Sequence, residues 1–414
     1  MSSTGARRRP AVLVAYAAFV LVGLTAGVGG VLLPAQILDY GVNKATVGIT
    51  FFTFSAGFLL AGITAGGLMH RLGTRAALVV GGGAFVAAAL YTAVRPPFLA
   101  FVAVQVVAGY GIGVLESVLN AYLSELPGAT TLLNRLHAFF GVGALLGPAL
   151  AAWMLRTLPW TAVWLVLALA SLPLVAGFLL SYPARARPDD GRDGAGADTG
   201  FRTGDGTGEP AVRGSRAAGG GLLGTALRQP AVLLGAVFLT VYVGLEMSVG
   251  DWGFSLLVDG YGQQAVLAGY TVSGYWLGLT VGRFLISPIA VRIGLTPAGT
   301  MTASLTGVTA SAVLTWLSPV PALASVGLVL LGFFLGPIFP TAMAMVPRLT
   351  SARLVATAIG VLNGVSVVGG AVFPWLAGAI AQATGVWTLL PFSLALALAQ
   401  LAIWWRLARR VTPG

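Results

Sequence analysis

Only 8% of the 414 residues are charged, while 57% are apolar. A soluble domain carries roughly 25% charged residues, so this chain cannot cover a water-facing surface, and a soluble globular protein is excluded. The net charge of +11 does not mark a nucleic-acid binder. The arginines lie in short segments between apolar runs, a distribution that orients a membrane protein.

With no cysteine and two histidines, there is no disulfide, thiolate metal site or cysteine nucleophile. No nucleotide-binding loop, metal-ligand cluster or Ser/His/Asp set is visible, so neither an enzyme nor a cofactor is expected.

In chain order, Arg7, Arg8 and Arg9 precede a long apolar run that lacks a clear cleavage site. This reads as an uncleaved first membrane helix. About 20 apolar residues cross a bilayer. By that measure the predicted spans are 11–34, 45–69, 76–94, 98–123, 133–155 and 160–181, then 231–257, 265–288, 297–317, 321–346, 354–382 and 387–405. Between the two sets, 183–228 is rich in Gly, Arg and Asp and too poor in apolar residues to offset its ordering entropy. The expected organisation is a six-helix bundle over 1–182, a disordered cytoplasmic linker over 183–228, and a second six-helix bundle over 229–414. The fold class is thus an all-α membrane protein with two pseudo-symmetric halves.

Placing the N-terminus in the cytoplasm puts 20 of 23 basic residues inside, with Lys44, Arg95 and Arg156 outside. That asymmetry predicts an even number of spans and two cytoplasmic termini in the cytoplasmic membrane. Internal echoes agree. Met69-His70-Arg71-Leu72-Gly73-Thr74 ends the second span and Ala290-Val291-Arg292-Ile293-Gly294-Leu295 ends the eighth. Gly141, Gly143, Gly147 and Pro148 in the fifth answer Gly364, Gly369, Gly370 and Pro374 in the eleventh. Two similar halves around a site at the midplane form an alternating-access architecture.

The loop Gly66-Gly67-Leu68-Met69-His70-Arg71-Leu72-Gly73-Thr74-Arg75 resembles the signature of the major facilitator superfamily, with His70 where that signature has an acid. Gly66, His70, Arg71, Gly73 and Arg75 are read either as a gating latch or as a tight basic turn. Five further runs are Leu115–Asn120, Leu133–Gly141, Tyr242–Glu246, Trp276–Phe284 and Gly336–Thr341. They resemble the fucose permease branch, the fucose–galactose–hexose proton symporters. The resemblance implies a monomer in the lipid bilayer that takes up a sugar or related small polar solute with a proton. That branch places an Asp before the Leu-Leu-Pro of its first helix; here Gly30 precedes Val31-Leu32-Leu33-Pro34. Gly143-Ala144-Leu145-Leu146-Gly147-Pro148 partly resembles an antiporter signature, which leaves a drug or metabolite exporter as the alternative.

A charge at the bilayer centre costs about 3 kcal/mol on insertion scales. Glu116 and Glu246 carry that cost, which marks them as functional candidates. Desolvation favours the neutral acid, so each can exchange a proton as hydration changes. Glu116, which matches the branch's fourth-helix acid, is the expected proton site. Glu246 is expected to bind substrate hydroxyls or share the proton. His137 is either a relay partner of Glu116 or a packing residue. Asn120, Asn363, Gln36 and Gln105 either bind substrate or tie helices together. Trp252, Tyr275 and Trp276 offer flat faces for a sugar ring, or for Trp252 an interface anchor. Asp251 reads as a wet interfacial acid, and Arg283 as a loop or lipid-phosphate contact.

Overall fold

The residues described by the computed structural model are 3–182 and 222–411. Of the expected disordered linker 183–228, the stretch 183–221 lies outside them, and the linker's end departs from that expectation, since 222–227 is helical. The described chain forms twelve long helices. The first half holds α1 (Ser3–Tyr40), α2 (Ile49–Leu72), α3 (Thr74–Ala93), α4 (Phe98–Ser124), α5 (Ala129–Met154) and α6 (Trp160–Ser181). The second holds α7 (Pro230–Ser255), α8 (Ala265–Arg292), α9 (Pro297–Trp316), α10 (Pro321–Leu335, continued by Ile338–Leu349), α11 (Val355–Thr384) and α12 (Leu389–Val411). The first helix runs on past the predicted limit at 34, because a membrane helix tolerates Pro34 where a soluble one would break.

Eleven of the twelve are long and apolar enough to span a membrane; α9 is the exception. It is rich in threonine and serine, yet six hydroxyls, those of Thr300, Thr302, Ser304, Thr306, Thr309 and Thr315, donate to carbonyls one turn back. These six hydroxyls are thereby satisfied inside their own helix, which lets such a sequence sit in a bundle.

The two halves pack alike. In the first, α1 crosses α5 and α2 crosses α4; in the second, α7 crosses α11 and α8 crosses α10. The α1–α5 crossing shows why. A Cβ on Gly27 would stand 2.7 Å from the carbonyl oxygen of Ala144, and one on Gly147 would stand 2.9 Å from that of Leu24. Side chains on Gly23 and Gly143 would run into the carbonyls of Phe140 and Val20. Without a hydrophobic drive between helices in lipid, such close backbone approach supplies the packing energy. Gly143→Val is expected to destabilise the first half by about 2–3 kcal/mol, read as a lowered unfolding temperature in detergent.

Because short turns join antiparallel neighbours, the bundle has two ends. The tail side carries the start of α1, the end of α12, and the α2–α3, α4–α5, α8–α9 and α10–α11 turns. The other is here called the far side. There Asp39 at the end of α1 accepts from Arg95 Nε at 2.7 Å and from Trp160 Nε1 at 2.9 Å. Arg95 Nη2 also donates to the Asp39 carbonyl at 2.8 Å. This clasp ties α1, the α3–α4 turn and α6 together. It holds Arg95 at φ +54, a left-handed conformation uncommon for a non-glycine residue.

Contact between the halves is uneven. Across the seam the Lys44 amide donates to Gln382 Oε1 at 3.1 Å, and the Ala149 amide donates to Ser273 Oγ at 3.1 Å. Phe51 meets Trp252 edge-on at 6.4 Å and Phe52 meets Trp375 at 5.8 Å. These contacts all lie toward the far side, and near mid-depth Gly141 abuts Thr280. Toward the tail side, Gly62, Gly66 and Gly67 of α2 and Gly360 and Gly364 of α11 face open space. The hydrogen bonds and ring contacts named across the seam thus gather toward the far end.

Candidate transport site

The chemistry-bearing side chains gather between α7 and α8. Glu246 on α7 is 8% exposed, and its Oε1 accepts from Arg283 Nη2 on α8 at 3.3 Å. Their side chains keep 11% and 28% of their surface accessible, so the pair is part-open rather than sealed. Tyr275 donates its hydroxyl to the Glu246 carbonyl at 2.8 Å, which locks α8 to α7 beside the pair. The Tyr242 hydroxyl lies within hydrogen-bonding reach of both charges, while Arg283 Nε and Trp276 Nε1 complete no hydrogen bond. Three donors and one carboxylate thus share a small region. Buried polar groups are normally satisfied, so donors left open suit a solute rich in acceptor oxygens or the water that replaces it.

Arg283 is the correction here. The sequence reading gave it to loops or lipid phosphate; in the structure it is the counter-ion of Glu246 in the bundle interior. It sits seven residues, two turns, beyond Trp276 on the same face of α8, and the spacing to an acid on the neighbouring helix was the signal that could have found it.

Across the seam, Glu116 on α4 is half-buried. Among the described residues its carboxyl has neither an ion pair nor a hydrogen bond. Asn120 donates to the Glu116 main-chain carbonyl at 2.8 Å, so this amide serves its own helix. His137 is exposed and edge-on to Phe19 at 5.6 Å. It feels the charge of Arg283 across the seam, while no ion pair or hydrogen bond joins it to Glu116. Among the described residues the relay reading of His137 thus has no hydrogen bond or ion pair behind it.

The remaining candidates scatter. Trp252 is buried, 2% exposed, and donates to the Pro374 carbonyl at 2.7 Å, which makes it a seam residue and removes the interface-anchor reading. Asp251, expected to be wet, is buried at 7%. Trp276 packs edge-on to Tyr275 at 5.4 Å. Gln36 and Gln105 are buried toward the far side, with Gln105 Nε2 unpartnered; Asn363 is exposed. In the α2–α3 turn, Gly73 takes φ +83 and its amide donates to the Met69 carbonyl at 2.9 Å. Only glycine enters that conformation without strain. His70 and Arg71 lie exposed beside it, with Arg75 half-buried and Gly66 exposed.

Comparison with known proteins agrees with this architecture. The sequence profile described as Major Facilitator Superfamily matches residues 15–298 and 253–414. The curated protein Bypass of stop codon protein 6 of Saccharomyces cerevisiae is 25% identical over 390 residues, which cover 89% of this chain and 76% of that protein. Among solved structures, the nucleoside transporter NupG superposes with a TM-score of 0.74 at 13% identity, over 99% of this chain and 100% of that one. A variant of the E. coli fucose:proton symporter FucP superposes at 0.61 with 17% identity, over 97% and 98%.

Proposed function

The chain belongs to the major facilitator superfamily, and on that premise we propose that it takes up a small hydroxyl-rich solute, a sugar or related polyol, together with a proton by alternating access. The observation that carries this reading is the Glu246–Arg283 pair, part-open beside unpartnered donors between α7 and α8. A membrane-buried charge pair is expensive and is retained where a polar solute must be held. The tail side is the cytoplasmic side, by the excess of arginine there; Arg283 leaves that count, since it lies inside the bundle. On this assignment we read the conformation as the one open to the cytoplasm.

Glu246 accepts from solute hydroxyls and Arg283, Tyr242 and Trp276 donate to solute oxygens, with the Trp276 and Tyr275 rings flanking the apolar face of a sugar. Glu116, whose carboxyl has no hydrogen bond or ion pair among the described residues, is the proton site. His137, exposed across from Arg283, hydrates the approach. The protein works as a monomer with both termini in the cytoplasm, and the boundaries of its two domains fall at 182 and 229. NupG and FucP carry a nucleoside and fucose by their names; both are hydroxyl-bearing solutes, in keeping with this class. The export alternative rested on Gly143-Ala144-Leu145-Leu146-Gly147-Pro148, and its two glycines are already used in the α1–α5 crossing.

The test is a screen in proteoliposomes with labelled monosaccharides, polyols, nucleosides and sugar acids, with and without an imposed pH gradient. Accumulation of a neutral hydroxylated solute that collapses when the gradient is dissipated is the expected result. Accumulation indifferent to the gradient would remove the proton, and transport confined to sugar acids would give Arg283 the leading role.

A further inference from the structure

Asp251 has a setting unlike that of the other two membrane-buried acids. Its carboxyl has no ion pair or hydrogen bond among the described residues, and only 7% of the residue is exposed. Part of its cover comes from the opposite half. A Cβ on Gly29 of α1 would stand 3.8 Å from Asp251 Oδ1. One on Gly30 would stand 2.6 Å from the carbonyl oxygens of both Gly250 and Asp251. Two adjacent glycines therefore let α1 settle onto the backbone of α7 and roof the carboxyl. The neighbouring Trp252 is clamped in the same closed seam, between Phe51 of α2 and the Pro374 carbonyl of α11.

Among the described residues no ion pair or hydrogen bond brings a compensating charge to Asp251. α1 brings Gly29 and Gly30 against it. α2 and α11 present Phe51 and Pro374 to the adjacent Trp252. From α8 the field of Tyr275 reaches it, but that hydroxyl is already given to the Glu246 carbonyl. Glu246 on the same helix is held by Arg283 within its own half, so rocking of the halves does not strip it of its partner. Asp251 differs because separation of the halves removes its roof.

We infer that Asp251 is a proton-dependent latch on the far-side seam, closing only when its carboxyl carries a proton. This rests on alternating access as proposed above. A carboxylate sealed from water without a partner is far costlier than the neutral acid. When α1 and α7 part, water reaches Asp251, its O–H bond breaks, and the proton passes to water on the far side. Before the seam can reseal, the carboxylate must take a proton back from that side. The closed form binds one more proton than the open form. Closure is therefore favoured at low pH and lost as pH rises, by at most about tenfold in the closed-to-open ratio per pH unit.

The reporter is a cysteine pair, Lys44→Cys with Gln382→Cys, on the two sides of the closed seam where the Lys44 main-chain amide reaches the Gln382 side-chain carbonyl, in a chain with no native cysteine. Disulfide yield under a fixed oxidant is followed in proteoliposomes of the full chain between about pH 5.5 and pH 8.5, without solute. Relative to the Asp251→Asn background, which corrects for thiol chemistry, the yield with Asp251 falls severalfold or more as pH rises. Asp251→Asn, neutral at every pH, follows the pH dependence of the thiol chemistry alone. Gly30→Ala, whose methyl blocks the approach of α1, stays low throughout. Identical pH profiles with Asp and Asn at 251 would overturn the latch, as would a high yield in Gly30→Ala. Since no solute is present, the latch can stand if proton-driven uptake fails, and fall if uptake succeeds.

Discussion

Arg283→Leu will abolish transport and lower stability by about 3–5 kcal/mol, the cost of leaving one member of a buried pair uncompensated. Glu246, 8% exposed, would lose the guanidinium 3.3 Å away and either hold a proton or draw water into the α7–α8 interface. The companion variant separates folding from function. Glu246→Gln with Arg283→Leu removes both charges, and replacing a buried pair is often neutral for stability. Its unfolding temperature in detergent should return close to that of the native chain while solute uptake stays absent. If the double variant transports, the pair is structural and the solute binds elsewhere. If Arg283→Leu unfolds at the native temperature, the pair is hydrated and contributes little.

The fold was legible because bilayer physics writes it in long strokes. Twelve apolar runs and the arginine asymmetry gave the helix count, and even α9, with its threonine-rich sequence, announced itself by length and by the turns around it. Its hydroxyls bond within the helix, so polarity there was compatible with burial. The site was legible only in part. Glu116 and Glu246 stand out because acids in lipid-depth helices are rare. Arg283 did not, because a cation near a helix end has an ordinary explanation in the positive-inside rule, and only the fold brings α8 against α7 so that the two charges meet. Asp251 was misplaced for the related reason that its burial is made by Gly29 and Gly30, more than 200 residues earlier in the chain. The same two glycines are why the acid implied by resemblance at position 30 has no room here: a side chain there would collide with the backbone of α7 in the closed seam.

Glu116→Gln is expected to leave solute exchange intact and to erase accumulation driven by a pH gradient. The carboxyl of Glu116 is half-buried on α4 and has no partner among the described residues, so hydration governs its charge state. In the cytoplasm-open form, water in the cleft lets it ionise; once the halves close over it, the neutral acid is the affordable state. A symporter needs that dependence, because coupling requires that the empty or loaded carrier cross with the proton on and not without it. Glutamine keeps the shape and the neutral character of the protonated acid but can neither gain nor lose the proton. The variant should therefore cycle at any pH, moving solute down its own gradient. The size of the effect is fixed by the gradient: one pH unit is worth about 1.4 kcal/mol and supports about a tenfold accumulation at one proton per solute, which Glu116→Gln should reduce to equality of inside and outside. Counterflow of labelled solute against an unlabelled pool, which needs no net proton movement, should continue within about twofold of the native rate, since the substituted group sits in the half opposite the Glu246–Arg283 pair and each half holds its own packing. Retained accumulation in Glu116→Gln would transfer the coupling role to another carboxyl, and loss of counterflow would make Glu116 a solute ligand.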